Sequence, residues 1–415
     1  MPTPEGISRR TLLRGFAVGS IAAGLAACGA QASPVATQPR TPGPTDTPPP
    51  SPTGLPTPSS TPPPATALPT SDPATLRGRI GRLLVVGFRG FSIRPGDPIT
   101  KALGAGLGGV ILFDRDRVEK TRNIQSPEQL MVLVAALREA ASGNLIVAID
   151  QEGGRVSRLK PALGFPETRS QADIGATDDP HEAFEAGRAM AETMADAGID
   201  LDLAPVVDVN LNPTNPAIGA LGRSFSADPS VVSAMAEAEI NGLHEFGVRA
   251  AIKHFPGLGS ASANTDFDNV DVTKTWTEAE LEPFETLIAA GLPDAVMTGH
   301  IVNDTLDPGV PASLSVATVD GILRRRLGWD GAVITDDLGA EAIASRYSRE
   351  EAVVLALEAG NDLLLFANQT VYVPDLAAEL VETILGLVTS GRISEARIDQ
   401  SIERIDILAL GSAIE

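Results

Sequence analysis

Leu145-Ile146-Val147-Ala148-Ile149-Asp150-Gln151-Glu152-Gly153-Gly154-Arg155 is the stretch on which the fold turns. Five apolar residues without alternation read as a short strand buried on both faces, the signature of a parallel sheet. Acid, amide, acid, two glycines and arginine follow at once, so the strand delivers polar groups at its C-terminal end. The same grammar recurs along the chain. Strands are expected at Leu83–Phe88, Gly109–Phe113, Leu145–Asp150, Leu201–Val209, Arg249–Phe255, Ala295–Ile301, Ala332–Asp337 and Asp362–Phe366. Amphipathic helical patterns fall between them, among them Pro127–Ala141, His181–Ala197, Pro229–Phe246, Glu278–Ala290, Val319–Leu327 and Arg349–Ala359. Asp375–Thr389 and Ser394–Leu410 add two more. Eight strand–helix units in about 340 residues point to a single α/β domain, a (β/α)8 TIM-type barrel. The alternative is an open doubly wound sheet, which usually carries a Gly-rich phosphate fingerprint after its first strand; none is present.

A barrel gathers its working groups where the eight strands end. Polar runs sit at those points. Strand five ends in Lys253-His254-Phe255-Pro256-Gly257-Leu258-Gly259, strand seven in Thr335-Asp336-Asp337-Leu338, and Gly222-Arg223-Ser224 lies in the loop after strand four. Carboxylate, lysine, histidine and arginine together suit a polyhydroxylated neutral ligand, whose hydroxyls accept charge-assisted hydrogen bonds.

Three of these motifs, in this order and spacing, resemble glycoside hydrolase family 3: Asp150-Gln-Glu-Gly-Gly-Arg-Val, Lys253-His-Phe-Pro-Gly-x-Gly and Thr335-Asp-Asp-Leu. The nearest branch is the single-domain bacterial β-N-acetylhexosaminidases of cell-wall recycling, and the likeness covers residues 76–415. The resemblance implies a retaining exo-glycosidase without metal or cofactor. It makes Asp336 the nucleophile, and Asp150, Lys253, His254, Arg223 and Arg158 the groups that hold the sugar. It implies a β-linked terminal N-acetylglucosaminide of cell-wall saccharides as substrate; a β-glucosidase-type hydrolase is the neighbouring reading. Asp336 read alone could instead cap the next helix, with Asp337 the better candidate for that structural role. Arg155 and Arg158 could be ordinary ion-pairing arginines, and His300 either lines the pocket or is a satisfied structural residue.

The loop after strand five departs from the family pattern. That branch carries an Asp-Ser-His run there, whereas this chain has Asn264-Thr265-Asp266, with Leu258 in place of the second histidine. Either Asp266 serves as acid/base, with its pKa raised by burial or by Asp336, or no residue there donates a proton. In the second case the protein is an impaired, saccharide-binding relative.

The rest of the chain speaks to location. Ser8-Arg9-Arg10-Thr11-Leu12-Leu13-Arg14 precedes an apolar run to Ala27 that is short for a membrane span, and Leu25-Ala26-Ala27-Cys28 resembles a bacterial lipobox. Residues 1–27 are expected to be a twin-arginine export signal, and Cys28, the sole cysteine, the lipidated residue. Residues 28–74 hold fifteen of the 33 prolines, mixed with Thr, Ser and Ala, and read as a disordered Pro/Thr-rich stalk. A catalytic body from residue 75 to 415 would then face the cell wall as a monomer, tethered outside the membrane. A formal charge of −21 argues against nucleic acid as partner, and four histidines with one cysteine against a metal centre.

Overall fold

The computed structural model describes residues 73–117 and 121–410. The export signal, Cys28 and nearly all of the proline-rich stretch lie outside these residues. The first helix begins at Pro73, two residues before the expected start of the body.

Eight parallel strands form the sheet: β1 (Leu84–Gly87), β2 (Gly109–Leu112), β3 (Ile146–Ile149), β4 (Leu201–Asp202), β5 (Arg249–Phe255), β6 (Ala295–Thr298), β7 (Ala332–Thr335) and β8 (Leu364–Phe366). Their order is β7-β6-β5-β4-β3-β2-β1-β8, every neighbour parallel. A bridge between Ile334 and Leu363 joins the two ends of that order and closes the ring. The architecture is the expected TIM-type barrel. The helices are α1 (Pro73–Gly81), α2 (Pro98–Gly104), α3 (Pro127–Ala140), α4 (Gln171–Gly175), α5 (Pro180–Asp196), α6 (Pro229–His244), α7 (Glu282–Ala289), α8 (Glu341–Ala344), α9 (Arg349–Ala359), α10 (Leu376–Thr389) and α11 (Glu395–Leu410).

Local sequence explains the boundaries. α3, α5 and α6 each start with proline at the first helical position, after Ser126, Asp179 and Asp228. The side chains of those three residues accept the N–H groups of Gln129, His181 and Ser230, so proline costs no hydrogen bond and the cap recovers one. α9 carries a full capping box between Ser348 and Glu351.

Two expectations change. The run Leu201–Val209 forms a strand at Leu201 and Asp202, with Val206 adding an isolated bridge to Lys253, because the intervening Pro205 has no N–H to offer the ladder. The helix expected at Val319–Leu327 is wound as a wider π-helix over Ala317–Arg326.

At the N-terminal end of β8 the wholly buried Asp362 gathers the seam of the barrel. Its carboxylate accepts Arg324 Nη2 at 2.6 Å, Ser401 Oγ at 2.9 Å and the Val333 N–H at 3.1 Å, with Arg404 at 3.4 Å. One side chain thus ties β7, the π-helix and α11 together. Removing one partner of a buried ionic cluster costs about 3–5 kcal/mol. Asp362→Ala is therefore expected to lower Tm by ~5–10 °C, read by calorimetry.

Candidate active site

Every sequence-nominated site residue lines one cavity of about 470 Å³ at the C-terminal ends of the strands: Asp150, Arg158, Arg223, Lys253, His254, Asp266 and Asp336. A smaller cavity of about 240 Å³, mostly apolar, lies among α1, α2 and α10, away from these groups.

The floor is built on Lys253, whose side chain is 2% exposed. Its ammonium lies 2.8 Å from Asp150 Oδ1 and 2.6 Å from Glu152 Oε1. Glu152 also takes the Arg223 guanidinium as a fork, with both nitrogen–oxygen distances 2.7 Å. Asp150 takes Arg158 on its other oxygen at 3.1 Å. Burial alone would raise both carboxyls, but the cations overcome it. Lys253 and Arg158 hold Asp150 well below the ordinary carboxylate range, and Arg223 and Lys253 bring Glu152 down to about 2. Burial disfavours the Lys253 charge, yet Asp150 and Glu152 keep its pKa above the usual value. All these groups stay ionised at neutral pH.

His254 extends the floor. Its Nε2 lies 3.3 Å from Arg223 Nη2, and a guanidinium has no lone pair to give. The ring nitrogen therefore accepts, and the ring proton sits on Nδ1, donated to Asp208 Oδ2 at 2.7 Å. The other Asp208 oxygen accepts the N–H groups of His254 and Leu258, at 3.2 and 2.7 Å. Asp208 and Glu152 were given no role from sequence. Glu152 lay inside a quoted motif; Asp208 was hidden in a run read as strand, where an acid between valines was the available signal.

Just after β7 the chain places Asp336 at the cavity wall, its N–H held by Thr298 O at 2.9 Å. Asp336 Oδ1 accepts the Asp337 N–H at 2.8 Å, and among the described residues its carboxylate has no ion pair. Asp337 has the structural role: one oxygen accepts the N–H groups of Gly339 and Ala367 at 2.9 Å each. Burial pushes the Asp337 carboxyl up to about 6. His300 is the satisfied structural residue. Its Nδ1 meets Ser313 Oγ at 2.7 Å and its Nε2 the Asp337 carbonyl at 3.0 Å. Arg158 pairs with Asp150 inside the site, whereas Arg155, which lines the same cavity, donates among the described residues to the carbonyl of Ala220.

The loop between β5 and α7 arches over this floor. Thr265 O and Asp266 O receive N–H groups from Ala342 and Glu341 of the β7 side, at 3.1 and 3.4 Å. Asp266 keeps 43% of its side chain exposed, and Arg117 Nη2 of the β2 loop lies 3.3 Å from Oδ2. Burial and then the Asp336 charge push the Asp266 carboxyl above the ordinary range; Arg117 opposes them. The start of the arch is pinned. Buried Glu280 accepts the N–H groups of Gly259 and Ser260, at 2.8 and 3.3 Å. A Cβ at Gly259 would stand 1.7 Å from Val209 O, so only glycine fits there. A separate apolar cluster, including Val206, Ile218, Leu258, Val270, Val272 and Ile301, fills the space beneath.

Comparison with known proteins shows the family. The model of the glycosyl hydrolase family 3 N-terminal domain matches residues 75–408, and the chain belongs to that family. A β-hexosaminidase of Xylella fastidiosa is 38% identical over 289 residues, which are 68% of this chain and 80% of that protein. The structure of a family 3 β-N-acetylglucosaminidase from Paenibacillus sp. FPU-7 superposes with a TM-score of 0.74 at 34% identity, covering 82% of this chain and 64% of that one. A β-N-acetylhexosaminidase from Beutenbergia cavernae gives 0.73 at 32%, covering 81% of this chain and 98% of that one. The chain is a glycoside hydrolase.

One buried acid beside the site sets a pH dependence of stability. Asp202 Oδ1 accepts the Gln151 N–H at 2.9 Å, its other oxygen has no hydrogen-bond partner among the described residues, and burial pushes it up to about 7. Between about pH 4 and pH 7 the folded chain keeps a proton the unfolded chain has released, so stability falls as pH rises through that window. Asp202→Asn keeps the acceptor and removes the titration. Its Tm is expected to exceed wild type by ~2 °C or more above neutral pH, the gap narrowing toward about pH 4 in a pH-resolved thermal melt.

Proposed function

We infer that the protein is a retaining exo-glycosidase removing terminal β-linked N-acetylglucosamine from a saccharide, with Asp336 as nucleophile and Asp266 as acid/base. The observation that carries this reading is the pairing of two carboxyls on one cavity. One stands on a strand end without a countercharge; the other hangs from the arch with a raised pKa. Attack of an Asp336 oxygen on the anomeric carbon forms a glycosyl ester while the C1–O bond breaks, and Asp266 gives its proton to the departing oxygen. In the second half-reaction Asp266 takes a proton from water, the water oxygen bonds to C1, and the Asp336 carboxylate is released.

The floor carries binding. Asp150, Lys253, His254, Arg158 and Arg223 hold one another in place, so their remaining donors and acceptors are preorganised toward sugar hydroxyls. The arch from β5 to the β7 and β2 loops spans the mouth, which favours a pocket for a chain end over an open groove. The N-acetyl preference rests on the activities of the relatives, and cell-wall glycan on the lipobox-like Leu25-Ala26-Ala27-Cys28 and the twin arginine Arg9-Arg10. By the same reading the chain is exported and anchored through a lipid on Cys28. By the same reading it works as a monomer.

The ion pair between Arg117 and Asp266 favours a second reading, in which the acid is silent and the protein binds saccharide without cleaving it. Aryl β-N-acetylglucosaminides separate the two. Turnover is expected in wild type, with a loss of at least ~10³-fold in Asp336→Ala and a covalent adduct on Asp336 after a fluorosugar, located by mass spectrometry. Asp266→Asn is expected to lose ~10²–10⁴-fold in kcat/KM on saccharide leaving groups and far less in kcat/KM on activated aryl ones. Equal losses on both classes would remove Asp266 from the acid role. Tight calorimetric binding with no cleavage would establish the second reading. For the anchor, Cys28→Ser is expected to abolish metabolic labelling by a fatty acid and release the protein from the membrane fraction; labelling that persists refutes it.

A further inference from the structure

The contact that spans the mouth is made by one side chain. Arg117, on the loop after β2, meets the tip of the loop after β5, although β3 and β4 stand between those strands in the ring. Its Nη2 lies 3.3 Å from Asp266 Oδ2, its Nη1 lies 3.4 Å from the Asp266 carbonyl oxygen, and its guanidinium carbon lies 4.8 Å from the centre of the Phe267 ring. Three contacts thus fix two successive residues of the arch. Among the described residues Asp266 has no other ion-pair partner. Phe267 is 66% exposed, so the ring offers Arg117 a face without being buried itself.

We propose that Arg117 is a positioning residue for the acid/base: it sets the direction of the Asp266 carboxylate over the cavity and supplies the countercharge to its ionised form. The proposal rests on the reading of Asp266 as acid/base given above. A retaining hydrolase asks opposite things of that residue in its two steps, a proton to give and then a lone pair to take one. The charged and titratable groups that act on Asp266 come from five elements: Asp336 and Asp337 after β7, Arg117 after β2, Arg223 after β4, Asp150 after β3 and His300 after β6. In the free protein burial and the Asp336 charge favour the protonated acid. When Asp336 becomes a glycosyl ester its negative charge disappears from the cavity. Arg117, which touches Asp266 directly, then tips it toward the carboxylate that must deprotonate water. Arg223 acts in the same sense but is committed to Glu152. The family pattern has histidine at this position; here an aspartate is combined with an arginine brought from across the barrel.

The test uses the full chain carrying Arg117→Met, Arg117→Lys or Phe267→Leu. Removing the cation favours the protonated form. The alkaline limb of kcat/KM on a saccharide leaving group is therefore expected to move up by about one pH unit in Arg117→Met. On an activated aryl substrate, where the second step limits, kcat is expected to fall ~10-fold below neutral pH with kcat/KM nearly unchanged. Arg117→Lys restores most of both effects, and Phe267→Leu leaves the limb in place. If Arg117 only docked the loop, its loss would lower kcat/KM at all pH values without moving the limb, and that result overturns the proposal. A titration of the ¹³C-labelled carboxyl of Asp266 by NMR, assigned with Asp266→Asn, reads the coupling without turnover. An unchanged midpoint in Arg117→Met refutes the coupling. A midpoint that moves while wild-type turnover shows no Asp266-dependent limb refutes the acid/base reading instead, so the two failures are told apart.

Discussion

A lysine ammonium held between two carboxylates is the constraint on which this molecule rests. Lys253 has left water almost completely, which is tolerable because Asp150 and Glu152 take its charge at hydrogen-bond distance. Each carboxylate in turn takes an arginine, and Arg223 carries the chain of contacts on to His254 and Asp208. Such a network is weak evidence for stability, since desolvation offsets much of the Coulomb energy. Its value is geometric. Groups from β3, β5 and the loop after β4 can hold only one arrangement, because any other leaves a buried charge unpaired. A sugar entering the cavity meets dipoles already aimed, and no reorganisation is needed on binding.

The fold was legible because the barrel repeats one instruction eight times. A short apolar run, a polar strand end and an amphipathic helix recur with enough regularity that every strand was placed from residues alone. The errors mark where backbone chemistry overrules hydropathy. Val206, Val207 and Val209 look like strand, but Pro205 interrupts the ladder; Val206 regains one bridge to Lys253, and the chain beyond it carries Asp208 to His254. The helix at Ala317–Arg326 could not be told from an ordinary one by periodicity over ten residues.

At the site, legibility followed proximity to a strand end. Asp150, Lys253, His254 and Asp336 stand in motifs with little else to explain them. Glu152 stood in the same motif unremarked, because its importance comes from two cations distant in sequence, Arg223 and Lys253. Arg117 was unreadable for the same reason. It lies in a polar loop, and only the arch of the β5 loop brings Asp266 and Phe267 within its reach. Partnerships across a barrel mouth leave no trace in local pattern.

The apolar cluster under the arch is distinct from the main hydrophobic interior, and Trp276 is packed against both. The molecule therefore has an upper storey with its own small reserve of cohesion. Small cooperative units give way before large ones. On warming, the roof carrying Asp266 is expected to loosen while the ring of strands below still stands, so a calorimeter and a rate assay would name different temperatures for the failure of this protein.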